Sequence, residues 1–199
     1  MTIGYLEGIS KSTAKFDKIA EQVSKISYSK TAHGFELIKT AQNSIFISGV
    51  GMQSVHAYRN VLSLIDPRVS ITLAVADHDN TDVMIALEHY FNIRPDHWTA
   101  RRQLFDDGVQ RIKIDREVNV INVDIFMPIA YVAVDYYTET EYSFIQAKHY
   151  LIAEENTDTK SFFCTVVPGT NLYDYYREQI LLIERTNGKL ARAMELKND

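Results

Sequence analysis

The sequence predicts an α/β fold: a mixed sheet with an N-terminal parallel βαβ unit, a later antiparallel run, and helices on both faces. Two short β-branched runs, 44–50 and 69–76, flank an amphipathic stretch at 53–65. Such a succession makes a parallel strand pair with a right-handed crossover. After residue 118, further β-type runs are separated by turns short enough for antiparallel neighbours. Neither a repeat nor a linker divides the 199 residues, so a single domain, 1–199, is expected.

The elements follow in chain order from periodicity and turn residues. Residues 10–29 and 33–42 have helical spacing, so 1–43 is predicted to be a helical segment packed on the body. The core, 44–187, holds the βαβ unit, whose helix stops at Asp66-Pro67, and then helices at 81–91 and 95–112. Strands are predicted at 118–126, 129–137, 142–153 and 160–167. Thr170 or Asn171 caps a last helix that is expected to end at Asn187-Gly188, before a tail at 188–199.

Composition and charge narrow the class of protein. The chain has 21 Lys and Arg against 26 Asp and Glu, a net charge of −5, which predicts that general nucleic-acid binding is unlikely. The longest uncharged apolar run, 127–134, is far too short to span a bilayer, and no signal peptide is recognisable, so a cytoplasmic location is expected. Cys164 is the only cysteine and is predicted to be buried. Neither a metal site nor a cofactor is expected.

One candidate site is the turn between the first strand and helix of the βαβ unit. Gly49, Gly51 and Ser54 have a spacing that imitates a dinucleotide fingerprint, and Asp77 ends the next strand, where a ribose-binding acid would lie. Glycines let the backbone approach a ligand, and the helix N-terminus attracts an anion. The alternative interpretation is a tight turn followed by a solvated aspartate.

A second candidate site lies on the β run at 142–153. Alternation places Gln146 and Lys148 on one face of this strand and His149 on the other. A lysine in an apolar strand needs a partner or an anion, because an uncompensated buried ammonium is costly. Asn122 and Asp124 share a face of their own strand and could supply that partner. The alternatives to a site are an internal Lys148–Asp124 ion pair or a Lys148 ammonium at an edge of the sheet.

Three segments carry a family resemblance: the runs SIFISGVG and VSITLAVADHDN, and the strand ending in Lys-His-Tyr-Leu-Ile. Their order resembles the phospholipase D-like (HKD) superfamily, single-motif bacterial type, over residues 44–185. In that family a His-x-Lys pair attacks a phosphodiester and binds its oxygens. Lys148 matches the lysine, whereas Gln146 stands at the histidine's place, and Ala153 or Glu154 near that of the following acid. The resemblance implies a homodimer and a phosphate-binding cavity without the nucleophile.

These observations support three functional hypotheses. The first is a catalytically degenerate phospholipase D-like module that binds a small phosphate-bearing ligand or a protein partner. The second is an atypical phosphodiesterase or nuclease that uses His149 and Lys148, which requires a bulge to bring both side chains to one face. The third is a nucleotide-binding enzyme centred on the turn at 49–54. Arg101 and Arg102 are predicted to lie on a solvated helix face.

Overall fold

The fold is taken from a computed structural model that describes residues 26–29, 34–50, 52–91, 95–125, 127–150 and 161–195. Strand β1 is Ile26–Ser29, helix α1 is Gly34–Leu37, and a 3-10 turn, Ile38–Thr40, leads into β2, Ser44–Gly49. The bounds of the other elements are, in chain order, α2 Gln53–Ser63, β3 Ser70–Ala76, α3 Thr81–Phe91, α4 Pro95–Lys113, β4 Asn119–Val123, β5 Ile129–Val134, β6 Phe144–Tyr150, β7 Ser161–Val166 and α5 Asn171–Glu195.

Within these ranges, seven strands form one mixed sheet in the order β1-β7-β6-β5-β2-β3-β4. Strands β2, β3 and β4 are parallel, with Ile45 beside Ile71 and Leu73 beside Val120. The remaining pairs are antiparallel, and β5 joins the two halves by pairing with both β2 and β6. The parallel βαβ unit and the antiparallel run are therefore parts of one continuous sheet.

Helices cover both faces of this sheet, as alternation along the strands requires. On one face, apolar side chains of β2 and β3 pack against α2 and α4, with Phe105 and Val109 fully or almost fully buried. On the other face, α5 contributes Tyr173, Tyr176 and Ile180 to a second core. The predicted fold class, an α/β mixed sheet with helices on both faces, is confirmed.

The structure corrects two predicted elements. Residues 26–29 were predicted to end an amphipathic helix, but they form β1, which pairs with β7. The alternating pattern Ile-Ser-Tyr-Ser suits a strand, and the free edge of β7 provides hydrogen bonds that a helix end cannot use. Residues 10–25 lie outside the described part of the chain. Helix α5 also continues through Asn187-Gly188 to Glu195, so the predicted C-cap is wrong.

Two further features of the described residues concern earlier predictions. The single cysteine, Cys164, is buried on β7, as predicted. Among the helices in the described ranges, none combines the length and apolar character that crossing a membrane requires.

Candidate binding cavity

A cavity of about 210 Å³ lies over the centre of the sheet, between the strands and the first turns of α2. We call it the Lys148 cavity. Helix α2 contributes Ser54 and Tyr58, and β6 contributes Gln146, Lys148 and Tyr150. Its other lining residues are Ile47, Ser48, Gly49, Met52, Ala130, Tyr131, Val132 and Phe163. The two candidate sites of the sequence, the 49–54 turn and the Gln146–Lys148 strand, thus border one space.

Lys148 is a half-buried cation whose ammonium lies over aromatic rings. Its Nζ is 4.8 Å from the ring centroid of Tyr150 and 5.8 Å from that of Phe163. Among the described residues, no carboxylate forms an ion pair with Lys148, and none lines the cavity. Burial lowers the pKa of the Lys148 ammonium, and the nearby Arg101 guanidinium lowers it further. An anion from outside the described chain would be well placed to compensate this charge.

Arg101 is the second cation of the site, and the sequence analysis did not assign it a role there. Its guanidinium lies 4.9 Å from the ring centroid of Trp98 on the same helix, α4. Trp98 contacts Phe91, and Phe91 contacts Tyr150, with ring centroids 5.7 and 5.0 Å apart. The side chain is half-buried, so the predicted solvated helix face does not describe it. An aromatic cluster therefore connects Arg101 to the ring under Lys148.

Gln146 has a structural role on the cavity floor. Its side-chain oxygen accepts a hydrogen bond from the Gly34 backbone N–H at 3.0 Å, and its Nε2 donates to Thr165 at 2.9 Å. A Cβ at position 34 would lie 3.0 Å from the same oxygen, so the close approach of α1 to the sheet suits glycine. The amide is thus occupied by the protein, although it still borders the cavity.

The turn between β2 and α2 is tight, as one of its two interpretations predicts. Met52 has a left-handed backbone with φ of 45°, and its buried side chain fills the space beside Gly49. Ser54 borders the cavity, while Gly51 lies outside the described residues. The cavity is also smaller than the roughly 300–1,000 Å³ typical of cofactor sites. The cavity beside Met52 and Ser54 therefore offers no room for a whole dinucleotide.

His149 lies on the opposite face of the sheet from Lys148. Its ring stacks on Phe162 with centroids 4.6 Å apart, and its Nε2 is 2.7 Å from the Tyr176 hydroxyl on α5. β6 pairs with β5 without a bulge, His149 beside Ile129 and Lys148 beside Ala130. The phosphodiesterase hypothesis is wrong on this geometry, because the two side chains cannot meet at one phosphate.

The remaining candidate residues, Asp77, Asn122 and Asp124, lie outside the Lys148 cavity. Asp77 accepts a hydrogen bond from the Asp79 backbone N–H at 3.0 Å, an ordinary turn contact, and is not among the residues that line the cavity. Asn122 is exposed on β4, and Asp124 follows that strand. Three strands separate β4 from β6, so at about 4.8 Å per strand neither residue can reach Lys148. The predicted Lys148–Asp124 pair is therefore absent.

Asp124 instead borders a second cavity of about 220 Å³ between the β4–β5 connection and α5. Its walls are mostly apolar and include Met127, Tyr175 and Leu182. In the described part of the chain, no group of three His, Cys, Asp or Glu side chains is arranged to hold a metal ion.

Comparison with known proteins shows a weak structural likeness to a solved structure. The chain matches no protein-family model and no curated protein. Among solved structures, it is similar to TrmBL2, an archaeal chromatin protein whose structure is described as showing a novel mode of DNA binding. The match has 10% sequence identity and a TM-score of 0.41, and it covers 92% of this chain and 63% of the other. This chain therefore spans less than two thirds of that neighbour's length.

This finding runs against two predictions. The neighbour is a DNA-binding chromatin protein, so the predicted phospholipase D-like module for a small phosphate ligand or a protein partner is not retained. The expectation that nucleic-acid binding is unlikely is also withdrawn. That expectation used the net charge of −5, which is a sum over the whole chain, whereas Lys148 and Arg101 both lie against one cluster of aromatic rings, Trp98, Phe91 and Tyr150. At this level of likeness, the neighbour assigns no function to this chain.

Proposed function

We propose that the Lys148 cavity binds one nucleotide unit of a single-stranded nucleic acid. The observation that carries this proposal is the pair of cations, Lys148 and Arg101, set beside aromatic rings without a carboxylate partner among the described residues. Single-strand binders combine positive charge for the backbone with aromatic side chains on which bases stack. Here Lys148 and Arg101 contact phosphates, and Tyr150 and Phe163 contact the base.

The dimensions of the cavity favour a single unstacked base. A space of about 210 Å³ accepts one planar ring system but not a stretch of duplex. Bases inside a duplex are stacked and out of reach, so a cavity of this kind selects a single strand or an extruded nucleotide. The binding is expected to depend little on sequence, because every base has a ring face.

The overall charge sets the expected strength of binding. A net charge of −5 repels a polyanion at long range, so two local cations support only modest affinity, and two single-strand phosphate contacts give a slope of log K against log salt of about −1.4. The expected site is therefore a short contact on the strand and not an extended basic groove.

Fluorescence anisotropy with a labelled single-stranded DNA of mixed sequence at low salt tests the proposal. Lys148→Met is expected to weaken binding about tenfold or more, and to reduce the slope of log K against log salt by about 0.7, the contribution of one single-strand phosphate contact. Lys113→Met is the matched control, because Lys113 is exposed at the far end of α4, the helix that carries Arg101. The Lys113→Met variant is expected to bind the strand with an affinity within about twofold of that of the wild type.

Three results would contradict the proposal. They are the absence of binding at low salt, an equal loss in the Lys148→Met and Lys113→Met variants, and competition by a free mononucleotide as effective as that by the strand. The last outcome would identify a free nucleotide as the ligand. A duplex of the same sequence is expected to bind more weakly than the single strand.

A further inference from the structure

The Lys148 amine has the surroundings of a nucleophile. Strand β6 holds it between Ala130 and Phe163 of the neighbouring strands, and its Nζ opens onto the cavity. Its Nζ lies over the rings of Tyr150 and Phe163, and no carboxylate among the described residues forms an ion pair with it. Lysines that attack carbonyl carbons are activated in this way, by an apolar site or by a neighbouring cation. Lys148 has both.

We infer that Lys148 condenses with an aldehyde that enters the cavity, forming an imine. The Nζ lone pair forms a bond to the carbonyl carbon, and the C=O π electrons move to oxygen, which takes up a proton. This proton comes from the nitrogen. The carbinolamine oxygen then takes up a second proton and leaves as water, while the nitrogen forms the C=N bond and releases its remaining proton, so that no net proton is consumed. No oxidant or reductant takes part in these steps. The ligand is an uncharged carbonyl compound, so the inference does not rest on nucleic-acid binding.

The groups that face Lys148 suit this chemistry. Among the described residues, the titratable side chains on the cavity wall beside Lys148 are the phenols of Tyr58 and Tyr150, and Arg101 is the charged group beside it. Tyr131 also borders the cavity, but its ring packs against Tyr176 on the opposite face of the sheet. Burial raises the pKa of the Tyr150 phenol to about 12, so this group stays protonated near neutral pH and can donate to the carbinolamine oxygen. The amine's own pKa is lowered by burial and by Arg101, which increases the neutral, reactive fraction.

The test compares lysines within one protein. The full chain is incubated with acetaldehyde and cyanoborohydride at pH 7, and the rate of ethylation at each lysine is measured by peptide mass mapping. Lys39 and Lys113 are exposed and serve as internal references. Lys148 is expected to react faster than either, since a lowered pKa raises the neutral, reactive fraction of an amine at pH 7. The difference is expected to shrink as the pH approaches 10.

Two variants distinguish activation of the Lys148 amine from simple accessibility of that amine to the reagent. Arg101→Met removes the neighbouring cation and is expected to slow ethylation of Lys148 relative to Lys113, whereas Arg111→Met, exposed on the same helix, leaves that ratio unchanged. Ethylation of Lys148 at or below the rate of Lys39 and Lys113 would overturn the inference, as would a ratio that is independent of pH. The assay contains no nucleic acid, so its failure and the failure of strand binding are separate results.

Discussion

At the scale of single residues, the structure uses charged side chains in three ways. Lys148 faces a cavity, Arg68 forms an exposed ion pair with Asp66, and Arg116 is buried with only 8% of its surface exposed. Arg116 donates hydrogen bonds to the backbone carbonyls of Leu62, Ile65 and Val69. It therefore pairs one carbonyl at the C-terminal end of α2, that of Leu62, and two carbonyls of the connection between α2 and β3, those of Ile65 and Val69.

Replacing Arg116 tests this assignment. Arg116→Met is expected to lower the free energy of unfolding by about 2–4 kcal/mol, because the buried carbonyls lose a charged donor. Chemical denaturation of the full chain measures the change. The control, Arg68→Met, removes a residue whose side chain is 88% exposed and is expected to cost at most about 1 kcal/mol. An equal loss in both variants would contradict the role of Arg116.

The residue scale also shows what sequence alone could identify in the site. Lys148 was singled out because a lysine is unusual in an apolar strand, and alternation correctly separated it from His149. Arg101, Tyr150 and Phe163 were not assigned to the site. Tyr150 lies two residues after Lys148 on β6, so alternation alone would have placed it on the same face. Nothing in the local pattern of Arg101 or Phe163 distinguishes them from surface or packing residues, since their relation to Lys148 exists only after α4 packs on the sheet and β7 pairs with β6.

At the scale of elements, helices α2 and α4 pack closely on one face of the sheet. A Cβ at Gly108 would lie 2.9 Å from the backbone N and Cα of His56, closer than side-chain atoms are normally found. Glycine in a helix is normally destabilising relative to alanine by up to about 1 kcal/mol. This glycine is therefore required by the contact between the two helices.

The Gly108→Ala variant distinguishes the effect of helix propensity from that of the close packing of α4 on α2. Propensity alone predicts a gain of up to about 1 kcal/mol, whereas the clash with the backbone predicts a net loss of about 1–3 kcal/mol. We expect the loss, measured as a lower midpoint of denaturation. Gln110→Ala, exposed on the same helix, is expected to change the stability by no more than about 0.5 kcal/mol. A stabilised Gly108→Ala protein would show that the helices can separate at little cost.

Most helices and strands were predictable from the sequence, but the order in which the strands lie in the sheet was not. The βαβ unit has strong periodicity and clear end signals, and its strands lie where expected. The order β1-β7-β6-β5-β2-β3-β4 was not predictable, because it depends on which edges are free once the helices have packed. The proposed partnership of Lys148 with Asp124 failed for this reason. β1 was missed because four residues carry little periodic signal.

At the scale of the whole molecule, two half-buried histidines link stability to pH. Burial lowers the pKa of His78 and of His149 below the usual value near 6.5. The unfolded chain therefore takes up protons near pH 6.5 that the folded chain does not. By linkage, the unfolding free energy is greatest above this pH and decreases as the pH falls through it.

Denaturation curves at pH 7.5 and pH 5.5 measure this effect. The wild-type chain is expected to be less stable at pH 5.5, and the His78→Gln/His149→Gln double variant is expected to show a smaller difference between the two conditions. Carboxyl groups contribute little in this range, because they protonate mainly below about pH 5. Equal stability of the wild type at both pH values would contradict the prediction.

The position of β1 has a consequence for synthesis. Ile26 pairs with Val166, so the first strand of the described chain has no partner until β7 has emerged from the ribosome. At about 5–20 residues per second, this delay is on the order of ten seconds. The parallel strands β2, β3 and β4 are complete well before then, so the nascent chain can assemble its centre first and add its outermost strand last.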